Sequence, residues 1–281
     1  MSHKYETTFL LGPKSLRLYV TDTDGNAFRA SGFIIEAEGK LFLYTCWHVV
    51  AGVDFLNPFP VKPPVRRVTV ALHLKSVETR TPAVTTIGGQ RELIFDLYDQ
   101  NGVPKWTQEP HHQDCPDLEA IGLHVPKFID VVKLPVELDQ LTADVVAFST
   151  SDVEANVLPS AGTDVLVFGY PHGYSAMASL SVEPVFLKRS IASNMNSNSG
   201  TLLLDGSGAK GMSGAPVIVR KDGRWWLYGI YNGAIFPDGQ HSPFPPEPDR
   251  HAALGWITHF YLARAFMGEN DYSVGIGSPR Q

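Results

Sequence analysis

Apolar residues along this chain recur mostly at every second position, in short runs cut by glycine, proline and Asp-Gly pairs. A two-residue period places one face of a segment in a core and the other outside, so each run predicts a β-strand. Residues 16–20 (Leu-Arg-Leu-Tyr-Val) alternate and are closed by the turn Asp24-Gly25. Residues 30–36 predict a second strand, ended by Glu38-Gly39, and residues 40–47 a third. Residues 48–52 break the run and predict one short helical turn stopped by Gly52. Pro58, Pro60, Pro63 and Pro64 make residues 54–64 a loop. Alternation returns in 65–74, at Val68, Val70, Leu72 and Leu74. The signal weakens over 78–112, where 93–98 predict a strand and 99–102 a turn. Residues 129–135 read as a short buried strand, and 138–148 as a segment crossing between two halves.

The second half repeats this style. Residues 163–171 predict a strand running into a turn, and 184–192, 201–204 and 216–220 predict further strands. Asp222-Gly223 turns the chain into another at 224–231, followed by a Pro-rich loop at 236–250. Trp256, Ile257, Phe260, Tyr261 and Phe266 fit one face of a C-terminal helix. No repeat of solenoid length is visible. The reading is an all-β protein in two halves: residues 1–145, with an inserted excursion at about 54–118, and residues 146–281.

Composition narrows the function classes. The 25 Gly and 21 Pro in 281 residues agree with many turns between short strands. Net charge is −6, and the densest basic patch, Lys62, Arg66 and Arg67, is interrupted by prolines, which argues against nucleic acid as a partner. No stretch reaches the length of a membrane span, and residues 1–20 lack the apolar core of a signal peptide, so a cytoplasmic protein with no membrane partner is expected. A secreted enzyme of this size would carry more than the two cysteines present. Cys46 sits in a strongly apolar run and reads as a buried free thiol rather than a partner of Cys115.

The candidate chemistry centres on Lys210-Gly211-Met212-Ser213-Gly214-Ala215-Pro216-Val217. Glycines on both sides of Ser213 permit a tight loop that aims the N–H groups of Gly211 and Ser213 at one point, where they could stabilise an oxyanion. A serine is a weak nucleophile and needs a base, and the base needs an orienting acid. His48, at the end of a buried strand, is the best base. Asp130, which opens the run Val131-Val132-Lys133-Leu134, is the best acid, because a carboxylate there is hard to bury without a donor. Asp96, Asp99 and Asp117 are rivals. Each residue also has a plain structural reading: a Gly-Ser turn, a core histidine, a solvated aspartate. An esterase of the α/β-hydrolase type, with His251 or His259 as base, fits poorly because Ala215 stands where a glycine belongs and a strand follows. His111, His112, Asp114 and Cys115 form a polar loop without paired ligand spacing, so neither a metal nor a cofactor is expected.

Taken together in the order His48, Asp130, Ser213, these stretches resemble the trypsin-like serine peptidases of the chymotrypsin fold, particularly the compact intracellular bacterial type. The residues that carry the likeness are 31–35, 43–50, 130–134, 165–171, 211–217 and 229–231. The resemblance implies two six-stranded antiparallel barrels with the site in the cleft between them. It implies a Ser213–His48–Asp130 triad, an oxyanion hole at the N–H groups of Gly211 and Ser213, and a peptide or protein substrate lying along 229–233. The specificity pocket would have its floor near Ser207 and its wall near Tyr231, Asn232 and Gly233. Ser207 is not acidic, so a preference for Lys or Arg is not expected. Tyr231 either narrows the pocket or points into the barrel. Met212 stands before the serine where self-activating members carry an acid, which implies no proteolytic activation by that route and leaves room for a regulatory protein partner. The expected function is a serine endopeptidase; the alternative is an inactive pseudo-peptidase that uses the cleft as a peptide-binding module.

Overall fold

A computed structural model describes residues 11–52, 65–77, 85–110, 128–137, 145–153, 160–173, 176–178, 181–194, 201–235 and 254–260. The first half contributes β1 (Ser15–Asp22), β2 (Ala27–Ala37), β3 (Lys40–Thr45), the helix α1 (Trp47–Ala51), β4 (Val65–Val77), β5 (Thr85–Asp96), β6 (Thr107–Pro110), β7 (Phe128–Val136) and β8 (Phe148–Ser149). The second contributes β9 (Asp164–Gly169), β10 (Ala176–Ala178), β11 (Ser181–Glu183), β12 (Val185–Ser190), β13 (Thr201–Leu204), β14 (Ala215–Lys221), β15 (Arg224–Ile235) and β16 (Leu254–His259).

The strands form two curled sheets and a small β10–β11 hairpin, as in the chymotrypsin fold. The first sheet runs β5-β4-β1-β2-β3-β7-β6 and is antiparallel, with β8 added in parallel alongside β2. β4, β5 and β6 come from the 54–118 stretch, and the long β4–β5 hairpin lengthens the sheet. The second sheet runs β12-β9-β14-β15-β16-β13. Its outer strands meet: Ile191 bridges Leu204, Ala192 N–H donates to the Leu203 carbonyl at 2.7 Å, and Asp205 N–H donates to that of Ser190 at 3.0 Å. That closure removes the exposed edge an open sheet would present.

The alternation read from the sequence is a burial pattern. In β1, Leu16, Leu18 and Val20 are fully buried while Arg17 and Tyr19 are partly exposed. β2 departs from this, because Ala30 to Ile35 are buried on both faces. One face meets the first core and the other abuts the second sheet, where Ser31 N–H bonds the Ser213 carbonyl at 2.9 Å. Phe33 is ringed by Tyr44, Phe148 and Phe260, at centroid distances of 5.8, 5.7 and 6.0 Å. Phe260 follows β16 of the second sheet, so this aromatic cluster ties the two halves together.

The C-terminal helix is corrected in part. Trp256 and Ile257 lie on β16, which sits between β15 and β13. Gly255 to His259 are all buried, and a strand covered on both faces loses the two-residue period that would distinguish it from a helix. Phe260 is helical, and residues from 261 on, Tyr261 and Phe266 included, lie outside the described residues, as do the loops at 54–64 and 236–250 and the segment 138–144. Among the described residues no helix is long and apolar enough to cross a membrane.

The end of β16 carries a titratable core group. His259 is fully buried against the Tyr228 ring, 4.3 Å between centroids, and burial holds its imidazole down to about 4. The folded state therefore resists a proton that the unfolded chain accepts near pH 6.5. The stability held by neutral His259 is complete above about pH 6.5 and is lost as pH falls towards 4, a change of about 3 kcal/mol. Urea midpoints should fall over that range in the native protein and stay flatter in His259→Phe.

Candidate active site

β3 ends at Thr45, and the extended backbone of Cys46 turns it into α1. The helix is one turn long, and Gly52 stops it in the left-handed region at φ 70°. His48 is thereby held at the mouth of a rigid strand, with its side chain about one-quarter exposed. β7 pairs with β3 in antiparallel register, Thr45 opposite Val132, which brings Asp130 beside the start of α1. Asp130 is wholly buried. Its Oδ1 accepts the backbone N–H of His48 at 3.0 Å, and its Oδ2 lies 2.8 Å from His48 Nδ1. A buried carboxylate is acceptor-only when ionised, so Nδ1 carries the proton and Nε2 is left with a lone pair facing away from Asp130.

Asn232 completes the cage around Asp130. In β15 it is the extra residue of a bulge, since Tyr231 pairs with Ile257 and Gly233 with Trp256. A bulge re-aims a side chain, and here the carboxamide turns across the seam between the sheets. Its Nδ2 donates to the Asp130 carbonyl at 2.8 Å and to Asp130 Oδ2 at 3.1 Å. Thr258 Oγ1 donates to Asn232 Oδ1 at 2.9 Å, which orients the amide.

Ser213 stands in a loop that needs its glycines. Gly211 and Gly214 have φ of +98° and +88°, where a side chain is strained. Met212 N–H donates to Ala209 at 3.0 Å, and Gly214 N–H to Tyr231 at 2.8 Å, so the loop is pinned at both ends. Ser213 is partly exposed, and its Oγ donates to the Asn232 carbonyl at 3.0 Å. Ser213, Asn232, Asp130 and His48 thus form one hydrogen-bonded chain across the two sheets. The single hydroxyl proton of Ser213 is directed at Asn232 in this state.

The rival acids stand elsewhere. Asp96 is exposed and paired with Arg67 at 2.9 Å, and Asp99 caps its own turn through the N–H groups of Asn101 and Val103. Asp117 and the His111–Cys115 cluster lie outside the described residues. His172 is an exposed loop residue with φ 51°. Cys46 is a free, buried thiol whose Sγ–H reaches the Tyr231 carbonyl at 3.3 Å. Burial, helped by the Asp130 charge, pushes its pKa well above normal, so it is neutral and inert as a nucleophile. Cys46, His48 and Asp130 offer three potential metal-ligand atoms within 4.8 Å of one another. A protonated thiol and an Nδ1–H committed to a carboxylate make that set a poor metal cage. Trp47 packs against the first core.

Tyr231 is buried under the 206–212 loop, where its hydroxyl accepts the Gly208 N–H at 2.6 Å. A Cβ at Gly208 or at Gly255 would meet its ring at 3.0 and 3.2 Å, so the tyrosine fills the space between those backbones. Burial pushes its hydroxyl up to about 12. Ser207 is half-buried, and its carbonyl accepts from the Arg189 guanidinium at 3.1 Å. Gly233 follows the bulge on β15. Sequence reasoning placed Asn232 beside the substrate and did not see it on Asp130. The available signal was an amide inside an apolar run, which has to find partners when buried.

Residues 30–230 match the trypsin-like peptidase domain family, a span that contains His48, Asp130 and Ser213. The chain belongs to this family. Among solved structures, this trypsin-like peptidase is similar to the HtrA-type protease AlgW with tripeptide, at 18% identity and a TM-score of 0.50 over 93% of this chain and 61% of that one. It is also similar to the serine endoprotease from Yersinia pestis, at 15% identity and a TM-score of 0.49 over 93% of this chain and 64% of that one. The chain therefore spans about three-fifths of the length of these proteases. No curated protein sequence matches it.

The Asp130 cage has a direct stability test in this peptidase. Asn232→Asp removes the amide donors and sets a second carboxylate against the first. Breaking a buried charge network in this way costs about 3–5 kcal/mol. Urea unfolding at pH 7 should show a loss of that size.

Proposed function

We propose that this chain is an active serine endopeptidase that hydrolyses peptide bonds through Ser213, His48 and Asp130. The observation that carries the reading is the hydrogen-bonded chain from Ser213 through Asn232 to Asp130 and His48. The first half, 1–145, supplies base and acid, and the second, 146–281, supplies the nucleophile. Substrate binding turns the Ser213 hydroxyl from the Asn232 carbonyl towards His48 Nε2. The oxygen attacks the scissile carbonyl while Nε2 takes the proton, and Asp130 stabilises the imidazolium formed. The N–H groups of Gly211 and Ser213 hold the oxyanion of the tetrahedral intermediate. His48 returns the proton to the leaving amine, and water then hydrolyses the acyl-enzyme by the same route in reverse.

The substrate backbone lies along 229–233 as an added strand, with Gly233 leaving room for it. Tyr231 packs in the second core with its hydroxyl under Gly208, and this bulk limits the residue on the acyl side of the cleaved bond to a small one. Met212 in place of an acid before Ser213 leaves activation to a partner protein rather than to proteolysis.

Ser213→Ala should abolish hydrolysis and fluorophosphonate labelling while leaving the unfolding transition in place; retained turnover would reject the mechanism, and a native protein that resists the label would be a peptide-binding pseudo-peptidase. Asp130→Asn should lower kcat by about 10⁴-fold by disturbing the histidine tautomer, while Asp96→Asn leaves it unchanged. A peptide-library profile should show cleavage after Ala, Gly and Ser, and Tyr231→Val should admit Leu and Phe. Dominant cleavage by the native enzyme after Phe, Lys or Arg would move the pocket elsewhere.

A further inference from the structure

Ser31 sits in the middle of β2, in the first sheet, and is fully buried. All of its hydrogen-bonding groups are partnered, and three of the four bonds cross to the second half. Its N–H donates to the Ser213 carbonyl at 2.9 Å. Its carbonyl accepts from Thr45 Oγ1 at 2.9 Å. Its hydroxyl donates to the Gly211 carbonyl at 2.8 Å and accepts the Tyr170 N–H at 3.1 Å. One residue of the first sheet therefore grips the backbone of the nucleophile loop at two points, Gly211 and Ser213, and fastens it to the end of β9.

The surroundings are shaped to this residue. Gly169 and Gly214 both face it: a Cβ at Gly169 would meet Ser31 Oγ at 2.6 Å, and one at Gly214 would collide with the Ser31 carbonyl and with Thr45 Oγ1. Gly211 is held in the left-handed region with its carbonyl turned inward to Ser31, which sets the plane of the neighbouring peptide units. The N–H groups of Gly211 and Ser213 are separated by Met212 alone. Their convergence depends on where the Gly211 and Ser213 carbonyls are anchored, and both anchors are on Ser31.

We propose that Ser31 is a positioning residue for the oxyanion hole, acting through the Gly211 and Ser213 backbone rather than by touching substrate. The proposal rests on the peptidase reading above. Ser31→Ala keeps the backbone bond to Ser213, removes the bond to Gly211 and strands the Tyr170 N–H. The Gly211 N–H then drifts from the point where the oxyanion forms, and this loss is felt in the transition state and not in substrate binding.

The experiment compares the native enzyme with Ser31→Ala and Ser31→Cys. Active sites are counted by the endpoint of fluorophosphonate labelling, so that any misfolded fraction drops out. In Ser31→Ala, kcat per labelled site should fall by about 100-fold, the scale of losing or misplacing one oxyanion donor, with KM unchanged. Inhibition by a peptide aldehyde, whose hemiacetal oxygen occupies the hole, should weaken in parallel. The pH profile, set by His48, should not move. Ser31→Cys keeps a weaker donor at the γ position and should recover part of the loss; it carries the test if Ser31→Ala does not fold. Unchanged kcat and aldehyde affinity per labelled site overturn the proposal alone. Loss confined to stability and labelled fraction also overturns it, because Ser31 would then be structural only. A native enzyme that takes no label and cleaves no peptide overturns the peptidase reading and this proposal with it.

Discussion

The structure depends on satisfying one carboxyl group buried inside it. Asp130 is buried completely, and an isolated carboxylate there would be costly unless donors replaced its water. Three N–H groups do so: the backbone and ring of His48 and the amide of Asn232. They arrive from two elements on opposite sides of the seam. α1 begins where β3 ends and presents the His48 N–H, the imidazole folds back over the same group, and the β15 bulge sends Asn232 across from the other sheet. Asn232 reaches Asp130 only when the two sheets dock in this register. The requirement that orients the histidine is the same one that joins the halves.

The seam is held on its other side by Ser31. There the first sheet meets the nucleophile loop backbone to backbone, at a separation that leaves no room for a Cβ at Gly169 or Gly214. The Phe33, Tyr44, Phe148 and Phe260 cluster packs behind it. Apolar burial brings the sheets together without direction, and the buried hydrogen bonds then select one relative placement. Both kinds of interaction are needed, since an aromatic cluster alone would tolerate sliding that a serine 2.8 Å from a carbonyl does not.

The family match covers residues 30–230, and the likeness in fold extends over most of the chain at low identity. Around the site, three of this chain's own side chains fill the framework. A tyrosine occupies the space under Gly208, a neutral thiol lies close to His48 and Asp130, and the Asn232 amide reaches the buried acid.

Strand positions were legible in the sequence wherever one face is buried, because a two-residue period is then written into the chain. β1 and β4 show this plainly, and the helical turn after β3 was marked by its terminal glycine. β16 was misread, since being covered on both faces erases that period and leaves an apolar run that fits a helix equally well. The glycines around Ser213 and the run after Asp130 were visible as local anomalies, a flexible loop and a charge beside apolar residues. The partners that resolve them were not. Asn232, Thr258 and Ser31 are far from Asp130 and Ser213 in the chain, and nothing in their own neighbourhoods says which buried group they will meet. Local pattern determined the elements and the residue types able to do chemistry. Only the docking of the two sheets decided which hydrogen-bond donor faces which acceptor, because that choice depends on distances that no contiguous stretch of sequence contains.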